Sequence, residues 1–291
     1  MVAAETGGVV AGRAPLREAP ARITRMFAGE SSAQAAVGVG AAVGASIERL
    51  CASEDVDAVV VASPNWAHAE AVLVAAQHGK HVFCEKPIAL SFEDCSRMIT
   101  ETAQAGVLFM AGHAMNFMRG VRRAKALIAE GAIGEVVFCR AVRNNWEEPQ
   151  GEVTWKKRRE LSGGHLYHHI HELDFVQSIM GPAVSATMAG GNVAHLGPGY
   201  GNEDDLLLMT LEFGNNTFAA LEYGSAFRWP EHYVLIEGTM GAIRIDLQDT
   251  GVEVRTPERT ESSLLHRSQA EDDDRTAFYN RRSDEHTPVL Q

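Results

Sequence analysis

Two short stretches of the sequence concentrate side chains that can hold and transfer protons. In the first, Ser63-Pro64-Asn65 and Glu85-Lys86-Pro87 each follow a short apolar run. The second is residues 163–174, GGHLYHHIHELD, which carry four histidines. A lysine whose pKa is lowered by partial burial can bind or relay a hydroxyl proton, and imidazole titrates near neutral pH, so both stretches suit acid–base chemistry on an alcohol. A lysine after a strand is also commonly a plain surface residue, and the residue type alone leaves that alternative open for Lys86.

The histidine-rich stretch has a second interpretation as a metal site. Its histidines are His165, His168, His169 and His171. Residues three and four apart share a face of a helix, and histidine is a common metal ligand. The HExxH pattern is not completed, because Phe175 stands where the second histidine would be. The sequence therefore predicts no metal, and it leaves these histidines to proton transfer or hydrogen bonding.

The elements that must position these side chains begin with a βαβ unit. Residues 56–61 are a Val-rich run that is typical of a buried parallel strand. Apolar positions recur at helical spacing over 66–77, Gly79 supplies the stop, and 81–84 are the next strand. A right-handed connection places both strand ends, and the polar residues after them, at one edge of the sheet. Open α/β sheets bind their ligands at that edge.

The segment before this unit, residues 1–45, does not match a dinucleotide-binding fold. Such a fold begins with a strand that runs into GxGxxG. The nearest match, Gly38 to Gly44, has one residue too many before its third glycine, so a flexible Ala/Gly linker is the better interpretation. We hypothesise that residues 1–45 come from a shifted reading frame or a mispredicted start.

The remaining patterns predict two domains. In the first, residues 1–113, further elements are predicted at 46–53 (helix), 91–105 (helix) and 107–110 (strand). In the second, residues 114–291, the predicted elements are helices at 119–130 and 162–181, a strand at 135–143, a loop over the site at 144–160, and hairpins of 206–213 with 217–223 and 233–237 with 242–247. Strands that follow one another without helices indicate an antiparallel sheet, so the second domain is α+β. Residues 256–291 are polar and are predicted to be a loose tail.

Composition limits the classes of partner. The chain has 291 residues, 45% of them hydrophobic, which suffices for two cores, and its formal net charge of -12 argues against nucleic acid or an anionic membrane. Lys156 to Arg159 are a basic cluster, either a solvated turn or a contact to a phosphate or polar substrate. Four cysteines without CxxC spacing indicate reduced thiols. Neither a signal peptide nor a membrane span is indicated, so a cytoplasmic protein is predicted.

Five motifs in order resemble those of a known family. They are VDAVVVASPN with a following histidine, EKP, GH with phenylalanine at 112–117, EGAIGE at 130–135 and GGHLYHHIHELD. Together they span roughly Ser46 to Asp246 and resemble the Gfo/Idh/MocA family of nicotinamide-dependent sugar and cyclitol oxidoreductases. The resemblance implies a Rossmann-like parallel sheet domain, with an atypical or incomplete N-terminal part, followed by an α+β domain with a mostly antiparallel sheet. It also implies NAD or NADP as cofactor, a sugar, polyol or inositol as substrate, and a homo-oligomer.

The same resemblance implies roles for individual residues. Lys86 and His171 are expected to be the catalytic pair and to converge across a cleft. The residues expected at the cofactor are Ser63, Pro64, Asn65, His68, Glu85 and Lys86. Those expected at the substrate are Asn116, where the family frequently has arginine, and Tyr167 and His168, because Tyr167 stands where the family often has a catalytic aspartate.

Three functions follow as alternatives. The first is an NAD(P)-dependent dehydrogenase that oxidises or reduces a secondary alcohol or ketone of a sugar or inositol. The second is a glycosidase or lyase that uses the same cofactor for transient oxidation, elimination and re-reduction. The third is a non-catalytic fragment without the dinucleotide glycine loop.

Overall fold

The computed structural model describes residues 8–13, 22–28, 42–43, 46–247, 251–258 and 260–264. The chain divides into two compact units, with the boundary between Gly112 and His113. The glycine-rich segment from Gly38 to Gly44, which the sequence assigns to a linker, lies outside the described residues apart from positions 42 and 43.

The first unit is built on a six-stranded sheet in the order β3-β2-β1-β4-β5-β6. Its strands are β1 Gly8–Arg13, β2 Arg22–Ala28, β3 Ala42–Val43, β4 Ala58–Ala62, β5 His81–Cys84 and β6 Phe109–Ala111. Strands β4, β5 and β6 run parallel, whereas β1 is antiparallel to both β2 and β4. A parallel neighbour needs a crossover of about a dozen residues or more, and only residues 14–21 separate β1 from β2. The predicted Rossmann-like sheet with an atypical N-terminal part is confirmed.

The helices of the first unit begin and end at the signals that the sequence carries. They are α1 Ile47–Cys51, α2 His68–Gln77 and α3 Phe92–Gln104. Ser46 and Ser91 cap α1 and α3, and each side-chain oxygen accepts a hydrogen bond from a backbone N–H of the first turn. Gly79 and Gly106 follow α2 and α3 with positive φ angles. Between sheet and helices lies a core to which Val59, Val61, Val72, Val82 and Met98 contribute.

The second unit is built on an eight-stranded sheet in the order β14-β13-β12-β11-β7-β10-β9-β8. Its strands are β7 Val136–Trp146, β8 Ala183–Gly191, β9 Leu206–Phe213, β10 Thr217–Gly224, β11 Ala226–Gly238, β12 Ala242–Asp246, β13 Gly251–Arg255 and β14 Thr260–Leu264. Only the β7–β10 pair is parallel among the described pairs, so the predicted mostly antiparallel sheet is confirmed. The sequence pattern did not indicate β8, nor β14, which lies within residues 256–291.

The helices of the second unit differ from the prediction in one place that matters for the site. They are α4 Arg119–Ala129, α5 Arg159–Ser162, α6 His165–His168 and α7 Ile170–Met180. The single helix predicted over 162–181 is wrong, because Gly163 and Gly164 have φ angles of 86° and 93° and cannot continue an α-helix. His169, with φ -109° and ψ 33°, makes the second break. The histidines therefore do not share one continuous helical face.

The two faces of the second sheet have different environments. On the inner face, side chains of β9 and β10 belong to one hydrophobic core with those of α4 and α7, and Leu211, Leu221, Phe175 and Val121 are at most 3% exposed. Alternate residues of the same strands point outward, as the period of a strand requires. The homo-oligomer implied by the family resemblance stays a prediction. No helix among the described residues is long and apolar enough to cross a membrane.

Candidate active site

Polar residues lie at the carboxyl ends of β4 and β5 in the first unit. The two ends are adjacent, since Val61 pairs with Cys84 and the Glu85 N–H donates to the Val61 carbonyl at 2.8 Å. Ser63 follows β4, and its hydroxyl is buried without a hydrogen-bond partner among the described residues. Lys86 follows β5, is half-buried, and precedes Pro87 through a cis peptide bond. The structure thus brings the predicted cofactor residues of both strand ends together.

His68 holds these two strand ends to each other. Its ring nitrogens Nδ1 and Nε2 lie 2.8 Å from the Pro87 carbonyl and 2.7 Å from the Ser63 carbonyl. The residue is 1% exposed, and burial lowers the pKa of His68, with the backbone carbonyls opposing the shift. His68, which the sequence predicts at the cofactor, fixes the loops that carry Ser63 and Lys86.

Glu85 and Gly112 complete this edge of the sheet. Burial raises the pKa of Glu85, whose Oε2 accepts a hydrogen bond from the Lys86 backbone N–H at 3.3 Å. A Cβ on Gly112 would stand 3.1 Å from Glu85 Oε2 and 3.2 Å from the Cys84 carbonyl, so any larger residue here would crowd the Glu85 carboxylate. The Ser63 hydroxyl, unsatisfied within the described part of the chain, and the half-buried Lys86 ammonium lie at adjacent strand ends and fit the polar groups of a nicotinamide dinucleotide. Asn65, also predicted there, is 6% exposed, and Pro64 precedes it.

In the second unit, His171 lies in the first turn of α7 and is 4% exposed. The ring of His113 meets it edge-on, with centroids 5.9 Å apart, and His113 Nδ1 is 3.6 Å from Asp174 Oδ2. Asn116 donates through Nδ2 to the same Asp174 oxygen at 2.7 Å, while its Oδ1 accepts from Lys125 Nζ at 2.7 Å. The hydrogen bonds link Lys125, Asn116 and Asp174 in a chain, and His113 contacts both this chain and His171. Asn116, predicted at the substrate, keeps one amide hydrogen beyond this chain.

Glu172 anchors the same helix turn to the sheet. Its side chain is 0% exposed, and Oε1 accepts from Arg143 Nη1 at 3.1 Å and from His232 Nε2 at 2.7 Å. Burial would raise the pKa of Glu172, but the hydrogen bond from His232 and the charge of Arg143 hold it at about 2. The carboxylate is therefore ionised and fixes α7, with His171, onto β7 and β11. Sequence spacing gave no signal for this arrangement.

Tyr167 and His168, the other predicted substrate residues, lie half-buried on α6. His168 Nδ1 is 3.1 Å from Oε1 of Glu203, which precedes β9. Glu203 was missed, because in the sequence it is one of three acidic residues at 203–205 in a polar loop. One residue of the basic cluster at 156–159 has a structural role here, since Lys157 Nζ pairs with Glu147 Oε2 at 2.7 Å.

Among the described residues, no group of three or more His, Cys, Asp and Glu side chains is placed to hold a metal ion.

The buried imidazole of His165 makes folding stability depend on pH. The residue is 3% exposed, Nε2 has no hydrogen-bond partner within the described part of the chain, and burial lowers the pKa of His165 from 6.5 to about 4. As the pH falls from 6.5 towards 4, the unfolded chain binds a proton that the folded chain does not. The contribution of His165 to the free energy of unfolding is therefore complete above pH 6.5 and falls by about 3 kcal/mol towards pH 4.

Replacing His165 with glutamine is expected to remove about 2 kcal/mol of the difference in unfolding free energy between about pH 7.5 and 5. Urea unfolding at both values, followed by tryptophan fluorescence, measures this, since three of the four tryptophans (Trp146, Trp155 and Trp229) lie in the same unit. The exposed His78, changed to glutamine, is the matched control and should leave the difference unchanged. A wild-type pH dependence in the His165 variant would contradict the prediction.

The two units together indicate the class of protein. The first has polar residues at its strand ends, and the second has a histidine-bearing helix packed on a mostly antiparallel sheet. This combination defines the class of two-domain dinucleotide-dependent enzymes. A family model described as an oxidoreductase family, NAD-binding Rossmann fold, matches residues 16–113. A second, described as the C-terminal alpha/beta domain of the oxidoreductase family, matches residues 125–289. The chain belongs to the Gfo/Idh/MocA oxidoreductase family, which confirms the resemblance and the nicotinamide cofactor.

The relatives of this chain are named for different reactions. The chain is 52% identical to 2,7-anhydro-N-acetylneuraminate hydratase of Mediterraneibacter gnavus over 273 residues, which cover 94% of this chain and 73% of the relative. It is 30% identical to 1,5-anhydro-D-fructose reductase of Ensifer adhaerens over 71% of this chain and 61% of the relative. Among solved structures, levoglucosan dehydrogenase in complex with NADH matches with a TM-score of 0.75 and 22% identity, over 84% of this chain and 70% of that one. At that identity the likeness concerns the fold.

Proposed function

We propose that the chain is an NAD-dependent enzyme that hydrates an anhydro sugar acid by transient oxidation of a hydroxyl group. The observation that carries this proposal is the 52% identity, over 94% of the chain, to a protein named 2,7-anhydro-N-acetylneuraminate hydratase. Hydration leaves the oxidation level of the substrate unchanged, whereas the family is one of NAD-binding oxidoreductases. An oxidation that is reversed before product release reconciles the two.

The electrons and atoms of such a reaction balance without net redox change. When bound, the nicotinamide takes a hydride from the alcohol carbon and returns it at the end. The ketone left on the substrate acidifies the proton on the neighbouring carbon, and loss of that proton expels the anhydro oxygen from the carbon beyond it. Water adds to the resulting double bond, and the ketone is reduced again. The sum is substrate plus one water molecule.

Lys86 and His171 handle the hydroxyl proton in this proposal. The Lys86 ammonium donates a hydrogen bond to the hydroxyl oxygen and stabilises the negative charge that develops on it. The imidazole of His171 accepts the proton as the carbon–hydrogen bond breaks. Support comes from the settings of both groups: Lys86 is half-buried at a strand end, and His171 is held in a turn that Glu172 fixes to the sheet.

The cofactor is bound at the edge formed by β4 and β5. Residues Ser63, Pro64, Asn65, Glu85 and Lys86 are proposed to contact it, and the buried hydroxyl of Ser63, which has no hydrogen-bond partner among the described residues, supplies a hydrogen-bonding group. His68 lies between the two loops there, with one ring nitrogen near the carbonyl oxygen of Pro87 and the other near that of Ser63.

The sugar is bound by residues of the second unit. Tyr167 and His168 are proposed to contact hydroxyl groups of the substrate. Asn116 contributes its remaining amide hydrogen while its other atoms hold Asp174 and Lys125 in place. A sugar with several hydroxyl groups suits this set of hydrogen-bonding side chains better than an apolar alcohol would.

The experiment is to incubate the protein with NAD and 2,7-anhydro-N-acetylneuraminate in heavy water and to follow both by NMR and nicotinamide absorbance. We expect N-acetylneuraminate in excess of the added NAD, one deuterium at the carbon next to the transient ketone, and no accumulation of reduced cofactor. Product formation without NAD, or without deuterium, would contradict the mechanism.

A dehydrogenase is the second candidate, favoured by the relative named 1,5-anhydro-D-fructose reductase. A panel of anhydro sugars, polyols and inositols, monitored at the nicotinamide absorbance, separates the two, because a dehydrogenase accumulates reduced cofactor in step with product. Calorimetric titration with NAD and NADP tests both, since no binding of either would exclude both enzymes and leave a non-catalytic chain.

A further inference from the structure

A carboxylate joins the two ends of the loop between β8 and β9, residues 192–205. Asp205 accepts hydrogen bonds from the backbone N–H groups of Val193, Ala194 and His195 at 2.8, 2.8 and 2.7 Å. Burial would raise the pKa of Asp205, but these three donors lower it. The arrangement fixes the end of the loop, and with it the position of Glu203 two residues earlier.

Glu203 is directed into the protein, where its side chain is 4% exposed. Its Oε1 accepts from Ser162 Oγ at 2.9 Å and lies 3.1 Å from His168 Nδ1, while Lys157 Nζ is 3.5 Å from Oε2. The Ser162 oxygen itself accepts from the Gly164 N–H at 2.9 Å, which directs the hydroxyl hydrogen to Glu203. Hydroxyl, imidazole and ammonium therefore converge on one carboxylate.

This convergence decides which nitrogen of His168 carries a proton. Burial would raise the pKa of Glu203, but the hydrogen bonds from His168 and Ser162 and the charge of Lys157 lower it, so the group is an ionised carboxylate. An ionised carboxylate can only accept hydrogen bonds. The proton must then be on Nδ1, and in a neutral imidazole Nε2 is the proton acceptor.

We propose that Glu203 is a positioning residue that holds His168 in the Nδ1–H tautomer, and that His168 Nε2 is the base that removes the proton next to the transient ketone. The inference rests on the proposed function. As the C–H bond breaks, its electron pair forms the carbon–carbon double bond and the proton moves to Nε2. The anhydro C–O bond breaks with its electron pair on the oxygen, which takes a proton from water and stays on the substrate as a hydroxyl group.

The tautomer can be measured without substrate. In protein labelled with ¹⁵N-histidine, long-range proton–nitrogen NMR distinguishes a protonated from an unprotonated ring nitrogen, and His168→Asn assigns the signals. At a pH where His168 is neutral, we expect protonated Nδ1 in the wild type and a substantial Nε2–H population in Glu203→Gln. An Nε2–H tautomer in the wild type, or no change in the variant, would overturn the inference even if the proposed hydration holds.

Kinetics test the consequence for the reaction. Glu203→Gln is expected to lower kcat about 10- to 100-fold with KM changed less than about threefold, and Glu203→Asp to recover part of the loss. Asp204→Asn is the matched control, because Asp204 is the next residue and pairs with half-exposed Arg159 rather than with His168. Equal losses in Glu203→Gln and Asp204→Asn would mean that the loop only docks, and would also overturn the inference. A wild-type hydration rate in Glu203→Gln would do the same.

Discussion

Replacing His171 with asparagine is expected to lower kcat for the proposed hydration by about 10²- to 10⁴-fold. The variant loses the group that accepts the hydroxyl proton, which is needed in the transition state more than for binding, so kcat and kcat/KM should fall together. The fold should survive, because the neighbouring Glu172, Arg143 and His232 keep their contacts and hold α7 on the sheet. Steady-state assays of N-acetylneuraminate formation measure the change.

The control for this variant is His78→Asn, since His78 is exposed beyond the end of α2 in the first unit. It should retain wild-type kcat. Calorimetric titration with NAD checks that the His171 variant still binds cofactor, and far-ultraviolet circular dichroism checks its fold. If a folded His171→Asn protein kept more than about a third of wild-type kcat, His171 would not be the proton acceptor.

Lys86→Met tests the other half of the pair. Residues that act as one unit in catalysis have non-additive effects, so the double variant Lys86→Met/His171→Asn should be only slightly slower than the slower single variant. Multiplicative losses in the double variant would indicate that the two residues act in independent steps.

The parts of the fold that the sequence predicted best are those specified by local signals. The span from β4 to α3 has apolar runs of strand length, helical spacing, serine caps and terminal glycines, and each of these acts within a few residues. The antiparallel position of β1 is not specified by local signals, because it depends on pairing with Val59 and its neighbours, which lie far along the chain. In the sequence, the sign of this arrangement is the short connection between β1 and β2, which is too short for a parallel neighbour.

The candidate site divides in the same way. Lys86 and His171 could be found because motifs mark them, and the strand-end position of Lys86 follows from the βαβ pattern. Glu172 and Glu203 could not be assigned, since their partners His232 and Ser162 are 60 and 41 residues away in sequence. The break between α5 and α6 was also missed, because a glycine pair permits positive φ angles but does not require them. Tertiary contacts determined the conformation there.

The second large effect concerns stability, and it follows from the buried Glu172. Arg143→Met is expected to lower the free energy of unfolding by about 3–5 kcal/mol, because it removes the charge opposite an ionised carboxylate in the core and leaves that carboxylate the hydrogen bond from His232. Urea unfolding near neutral pH, where Glu172 is ionised, measures the loss. Arg140→Met is the matched control on the same strand: Arg140 is 43% exposed, its ion pair with Glu222 spans 3.4 Å, and its loss should cost less than about 1 kcal/mol.

The double variant Arg143→Met/Glu172→Leu separates an unpaired charge from lost packing. Removing both members of a buried ion pair avoids the cost of an uncompensated charge, so the double variant should recover part of the stability that Arg143→Met loses. If Arg143→Met and Arg140→Met were equally destabilising, or if the double variant were less stable than Arg143→Met, the anchoring role of the Glu172 carboxylate would be wrong. His171 would then depend on the packing of α7 through Phe175 and Val176 for its position.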